Sequence, residues 1–297
     1  MRLLPWLLLV LATPLHVHAS PAQEAPAEQT PAPKVTGVDV TFLANSGFFL
    51  ESGRYSVLID AFLREPTDIF AGLPEEVYKQ LVNAQPPFDG LAIVLVSHEH
   101  SDHVQARGLE KYLSKNVQAA LMASPEVIRA LQAHSRDFAG IQRRIRPIQT
   151  SKNSIHTIVH EEMTIGFLQL EHRGKPGEEE ILNLGHLIVM GGVKVLHVGD
   201  ALPAVENFAP YGLDSLGIDV AIVPYWFFNQ PKGLRVLKEE IKPRNVIVCH
   251  VPPSEEGKFE QLLKAQFPDV ILFKQALEKR SFQPWAPPPG KETGDGG

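Results

Sequence analysis

Between Leu91 and Ser97 the chain reads Leu-Ala-Ile-Val-Leu-Val-Ser, and the six residues that follow are His98-Glu99-His100-Ser101-Asp102-His103. A run this apolar, without polar alternation, suits a strand covered on both faces. Four potential metal ligands therefore stand at the C-terminal end of a buried strand. In an extended loop His98 and His100 project to the same side, because side chains alternate. Asp102 and His103 are adjacent, so they point apart and can serve a different metal. Imidazole and carboxylate together suit Zn²⁺ and similar divalent ions. A solvated surface cluster is the competing reading, and the placement directly after an apolar strand argues against it.

The pattern around this feature falls into two halves. In the first, Val38–Leu43, Phe48–Ser52 and Ser56–Ile59 are short β-rich runs, the last two separated by a turn at Gly53-Arg54. Helical spacing appears at Pro74–Val82, Ala106–Leu113 and Pro125–Ala133. The second half opens with strands near Ile155–Val159 and Met163–Leu170. A hairpin follows, with Leu184–Met190, the turn Gly191-Gly192, and Val193–Val198. Val220–Pro224 and Val246–Cys249 read as further buried strands, with helices at Gly233–Glu240 and Glu256–Ala265. Strands and then alternating strand and helix, twice over, predict an α+β fold of two sheets packed face to face with helices outside.

His-x-His-x-Asp-His after a buried strand resembles the hallmark of the metallo-β-lactamase superfamily, and the likeness runs from Val38 to Phe273. It implies a four-layered αββα sandwich with two metals at one edge of the sheets. It also implies three more ligands in the order His, Asp, His. His172 and His186 compete for the first of these. His172 ends the strand Met163–Leu170, where a strand-end ligand belongs. His186 lies inside the hairpin, opposite His197, about 10 Å along the strand from Asp200 at roughly 3.4 Å per residue. That distance favours His172 and leaves His186 and His197 as a structural or supporting cross-strand pair. Asp200 ends Val195-Leu196-His197-Val198-Gly199-Asp200 and resembles the family's bridging Gly-Asp carboxylate, with Gly199 allowing close backbone approach. His250, at the end of Val246–Cys249, completes the order. Asp60, in Leu58-Ile59-Asp60-Ala61-Phe62, is similar to the family's Ile-Asp and is expected to orient a ligand or loop by hydrogen bonding.

The resemblance implies one metal on His98, His100 and His172, a second on Asp102, His103 and His250, and Asp200 shared. A hydroxide bridging the two ions would attack an ester, lactone or phosphodiester, with Asp102 orienting the water or accepting its proton. Zn²⁺ leads among the metals, with Mn²⁺ and Fe²⁺ also compatible. A bridging Asp resembles the lactonase, thioesterase and phosphodiesterase branches and is generally lacking in true β-lactamases. The stretch Phe42–Phe48 resembles lactonases and N-acyl-phosphatidylethanolamine phospholipases. β-Lactam hydrolysis and a non-catalytic periplasmic metal-binding role are the alternatives. Tyr225, Trp226 and Phe227 follow the strand Val220–Pro224 and could wall a substrate pocket or cap the core. His134, His156 and His160 carry no ligand pattern.

Arg2 and the apolar stretch Leu3–Leu15 read as a signal peptide (1–19) cut after Ala19, too short for the roughly 20 residues of a transmembrane helix. A flexible linker (20–34), a catalytic domain (35–282) and a Pro/Gly-rich tail (283–297) follow. The expectation is a periplasmic or secreted protein with a small-molecule substrate. A formal net charge of -6 gives no basic footprint for nucleic acid. Cys249 is the single cysteine, so no internal disulfide can form, and its apolar run points to a buried thiol.

Overall fold

The computed structural model describes residues 36–66, 70–174 and 181–285. The expected signal peptide, the linker and most of the expected tail lie outside the described residues. Two seven-stranded sheets form the centre. The first holds β1 (Val38–Ala44), β2 (Gly47–Ser52), β3 (Tyr55–Ile59), β4 (Leu91–Leu95), β5 (Ala120–Ala123) and β6 (Ile145–Pro147). The second holds β7 (Ile155–His160), β8 (Met163–Glu171), β9 (Leu182–Met190), β10 (Val193–His197), β11 (Val220–Pro224), β12 (Asn245–Cys249) and β13 (Ile271–Leu272). β14 (Lys279–Phe282) returns to pair with β1 at the edge of the first sheet. Its charged Lys279 and Arg280 suit an exposed edge, where charge discourages pairing with other chains.

Both sheets follow one plan. β1–β3 and β7–β10 pair antiparallel through successive hairpins, and the strands after them pair parallel. β8, β10, β11 and β12 thus all run the same way, so their C-terminal ends gather at one edge. The hairpin β9–β10 turns on Gly191 and Gly192, both at positive φ (55° and 80°). That geometry strains any residue with a Cβ but costs glycine little.

Three apolar layers hold the sheets. Phe48, Leu50, Ile93 and Leu95 meet Ile165, Phe167, Ile188 and Val195 between the sheets. Leu58, Val94 and Val96 face Leu109, Tyr112 and Leu131 of α2 (Ala106–Lys115) and α3 (Pro125–His134), beside α1 (Glu75–Val82). Behind the second sheet, Leu196, Ala221 and Val223 pack on Phe208, Val236 and Phe259. α4 (Phe138–Ile141) packs beside α2 on the first sheet, and α5 (Val205–Phe208), α6 (Pro231–Arg235) and α7 (Glu256–Gln266) supply the outer layer of the second. α6 continues as a π-helical turn, Val236–Ile241, so the helix expected from Gly233 starts two residues earlier and changes pitch midway. The alternate residues of β4 enter two different cores, which is why the run must be apolar throughout. Each such fully buried aliphatic side chain contributes roughly 1.5–3 kcal/mol.

Three strands of the first sheet, β5, β6 and β14, escape sequence patterning. β5 is Ala-Leu-Met-Ala, four residues that favour helix, and β6 contains Pro147 at its end. Pairing with β4 and burial of Leu121 and Met122 override the local preference. No helix among the described residues is long and apolar enough to cross a membrane.

Candidate metal centre

β4 delivers its loop against the end of β3. Asp60, wholly buried, accepts hydrogen bonds from Ser97 N (2.8 Å), Ser97 Oγ (2.7 Å) and His103 Nδ1 (2.8 Å). Because the Ser97 hydroxyl spends its only proton on Asp60, it must accept from His98 Nδ1, 3.0 Å away. One carboxylate thereby sets two imidazoles, His103 directly and His98 through Ser97, holding a proton on each Nδ1 and turning each Nε2 toward the cluster. Orientation by a buried carboxylate is how metal-binding histidines are commonly fixed.

The second sheet contributes from strand ends. His172 follows β8, Asp200 lies three residues after β10, and His250 follows β12. An isolated bridge joins His172 to Ala201, and Arg173 N donates to Asp200 O (2.8 Å), so the first two loops are tied together. Asn183, at the start of β9, accepts from Asp200 N (3.0 Å) and donates to Val198 O (3.0 Å). Gly199 is held at φ 58°, and a Cβ there would stand 2.2 Å from Asn183 Oδ1 and 2.8 Å from Ser97 Cβ. Only glycine lets the Asp200 loop approach both halves at once. His250 itself adopts φ 59°, strained backbone of the kind that persists at functional sites.

Seven side chains converge. His98, His100 and His172 form one group and Asp102, His103, Asp200 and His250 another, each with ligand atoms within 4.8 Å of one another. Asp200 stands between them, its Oδ2 3.9 Å from His172 Nε2 and 3.4 Å from His250 Nε2. His98 Nε2 and His100 Nδ1 are 3.0 Å apart. Two nitrogens that close need a proton or a cation between them. Among the described residues His172 Nε2 is buried without a hydrogen-bond partner, and His103 Nε2 and Asp200 Oδ1, also buried, face each other at 3.2 Å with no well-aligned hydrogen bond. Buried polar atoms without well-made hydrogen bonds are costly, and their convergence with carboxylates fits divalent metal.

The electrostatics agree. Burial drives the His98 pKa well below its ordinary value and lowers that of His172, so both are neutral and ready to ligate. Burial opposes charge on His103 and His250 too, but the carboxylates beside them win. Asp200 and Asp60 raise His103 well above its usual value, and Asp200 and Asp102 push His250 up to about 9. Burial of Asp200 is outweighed by His250 and His103, which hold its carboxyl well below the usual range. Protons held this way are the ones a metal displaces on binding.

Around the cluster, Trp226 donates Nε1 to Ala201 O (3.1 Å) and sets its ring edge-on to His250 at 5.1 Å. The Arg173 guanidinium covers the Trp226 ring at 4.8 Å, and half-exposed Tyr225 flanks it at 5.5 Å. The expectation for Phe227 is corrected. It has no exposed surface and packs on Phe208 (5.9 Å between centroids) in the core behind the second sheet. It therefore has no face to offer a substrate.

His186 and His197 stand directly opposite each other on β9 and β10, wholly buried between the sheets. His197 donates Nε2–H to Ser46 O (3.0 Å) and accepts Gly199 N (3.2 Å). His134 is exposed and bonded to Ala130 O, and His156 and His160 lie on the edge strand β7.

Ser97, Asn45 and Asn183 escaped the sequence reading. Ser97 had a signal, being the one hydroxyl at the mouth of an apolar run. Asn45 and Asn183 had none, because their partners are distant in sequence. Asn45 Nδ2 donates to Asp102 O (2.9 Å), and Asn45 O accepts from His250 N (3.1 Å).

Residues 55–264 match the family described as the Beta-lactamase superfamily domain. A metal-dependent hydrolase of Pyrococcus furiosus is 27% identical over 247 residues, which cover 79% of this chain and 96% of that protein. One from Thermococcus onnurineus is 25% identical over 249 residues, again 79% and 96%. A metallo hydrolase from Ignicoccus hospitalis superposes with a TM-score of 0.55 at 17% identity, over 84% of this chain and 99% of its own. The two mixed sheets, the flanking helices and the His/Asp cluster at one sheet edge agree with these likenesses, and the chain belongs to the metallo-β-lactamase-fold superfamily of metal-dependent hydrolases.

Proposed function

We propose that this chain is an exported hydrolase that holds two divalent metal ions and cleaves an ester, lactone or phosphodiester bond of a small molecule. The observation that carries this reading is the convergence of seven His and Asp side chains, with His172 Nε2 buried and without a hydrogen-bond partner among the described residues and His103 Nε2 facing Asp200 Oδ1 at 3.2 Å. His98, His100 and His172 would hold one ion, and Asp102, His103 and His250 the other, with Asp200 between them. The all-nitrogen and carboxylate donor set suits zinc first. Two such ions would acidify a shared water to a hydroxide and draw charge from the scissile group, so no Ser or Cys nucleophile is required.

The chain's own residues then have distinct tasks. Asp60 keeps His98 and His103 in the tautomer that presents Nε2. Burial alone would raise the Asp102 pKa, but the His250 hydrogen bond (3.0 Å) and the neighbouring imidazoles lower it. Its Oδ2 is thus an ionised acceptor at the cluster, able to take the proton that hydrolysis releases. Trp226 and Tyr225 form the wall beside His250. Export rests on Arg2 and the apolar stretch Leu3–Leu15.

Elemental analysis of the purified protein should find two metals per chain, zinc after zinc-supplemented growth. His103→Ala should lose at least one of them and about a thousandfold or more in hydrolysis of a panel of lactones, esters and bis-phosphodiesters. Protein that binds no metal and turns nothing over after metal is supplied would end this reading.

A further inference from the structure

Beside His250 a second feature opens that the metal centre does not use. A pocket of about 120 Å³ is lined by Phe42, Ala71, Val248, Leu272, Phe273 and the Cys249–Val251 segment, with Asn45, Glu256 and Lys274 as further polar lining. Its walls are mostly apolar. Phe42 and Phe273 stack with centroids 5.9 Å apart and 8° between planes. Phe42 and Leu272 remain half-exposed, so apolar surface faces the opening rather than being covered by the core. Cys249 lines it as a neutral thiol, since burial pushes its pKa up, and Ser46 Oγ is 3.7 Å from the sulfur. The exposed Lys274 at this pocket has its ammonium bonded to Glu260 at 2.6 Å, so its charge is already answered.

Two lining residues belong to the centre as well. His250 turns Nε2 to Asp102 and Asp200, and Asn45 holds the Asp102 carbonyl. A group seated in the pocket is therefore separated from the metal ligands only by the thickness of one side chain.

We infer that this pocket is the specificity subsite of the hydrolase and takes one apolar arm of the substrate, about four to six carbon atoms long. This rests on the hydrolase reading above. The size follows from volume: a cavity of roughly 150 Å³ accepts a benzene ring, and this one is slightly smaller, about 120 Å³. Mostly apolar lining with a small number of polar groups is the usual make-up of a small-molecule site.

Two ester series, followed by proton release on the zinc-loaded protein, test the inference. One holds methyl as the alcohol and lengthens the acyl part from two to ten carbons. The other holds acetyl and lengthens the alcohol. In one series kcat/KM should climb about fourfold per added methylene and level off at four to six carbons. Ala71→Trp, which fills the pocket from its rim, should flatten that series while methyl acetate is hydrolysed as before. Leu272→Ala, which enlarges it, should move the optimum to longer arms. Methyl acetate turnover with both series flat, or an optimum that neither variant moves, overturns the subsite and leaves the hydrolase reading standing. If no ester is hydrolysed, calorimetric binding of butanoate to octanoate decides. Tightest binding near four to six carbons, lost in Ala71→Trp, keeps the subsite while ester hydrolysis falls. Binding indifferent to length, or none, overturns the subsite.

Discussion

The first sheet sends four ligand candidates to the centre on one six-residue loop after β4, whereas the second sends three, singly, from the ends of β8, β10 and β12. On the loop, local alternation and one buried carboxylate set the geometry. In the second sheet the donors come from alternate strands, which lie about 10 Å apart at the usual strand spacing. Their side chains close that gap only because the intervening ends are built to help. The second residue of β9, Asn183, holds the Asp200 amide, and Trp226, two residues past the end of β11, backs His250. A compact loop can be read from neighbours in sequence, while a dispersed set exists only once the sheet order exists.

The two halves meet at Gly199, which touches Ser97 of one and Asn183 of the other. Gly199→Ala attacks that joint and should have the largest effect. The added methyl has no room, and φ 58° disfavours it. We expect a loss of about 2–4 kcal/mol in urea unfolding, with metal content reduced as well. Unchanged stability would mean that the halves adjust independently.

Asp60→Asn separates the halves instead of breaking them. It unsettles His98 and His103 but leaves Asp200 on Asn183 and His250 on Asp102. Metal affinity in a chelator competition should fall about 10–100-fold. A loss of both metals together would show that the first loop governs the whole centre.

The smallest effect should come from His186→Leu, between the sheets but away from the ligands. Among the described residues both His186 ring nitrogens are buried without hydrogen-bond partners, and burial pushes the pKa down to about 3. From that value up to roughly 6.5 the unfolded chain binds a proton that the folded chain does not, so stability is lost as pH falls through this window. Leucine removes both penalties. The metal-free variant should be about 1 kcal/mol more stable at pH 7, with a margin that widens at pH 5. A constant margin would mean that His186 is hydrogen-bonded in solution.

Legibility follows the same division. The apolar β4 run, the Gly191-Gly192 turn and the His186–His197 pairing were readable because each depends on neighbours in sequence or on a two-residue turn. β5 was not, because its Ala-Leu-Met-Ala composition favours helix until β4 lies beside it. Phe227 was open to two readings, and only packing on Phe208 assigns it to the core. The structure also sets His172 beside His98 and His100, at ring distances of 4.7 and 5.0 Å, while His186 stays between the sheets.

By itself the sequence determined the contiguous half of the centre: a strand apolar enough to be buried on both faces, ending in donors whose alternation points them to common ground. Only the tertiary structure decided how Asp200 and the flanking histidines meet that loop, which tautomers they hold, and that an apolar pocket opens beside His250. Those properties depend on groups up to about two hundred residues apart, such as Asn45 and His250. Side chains that distant acquire a relation to one another only when the sheets that carry them have packed.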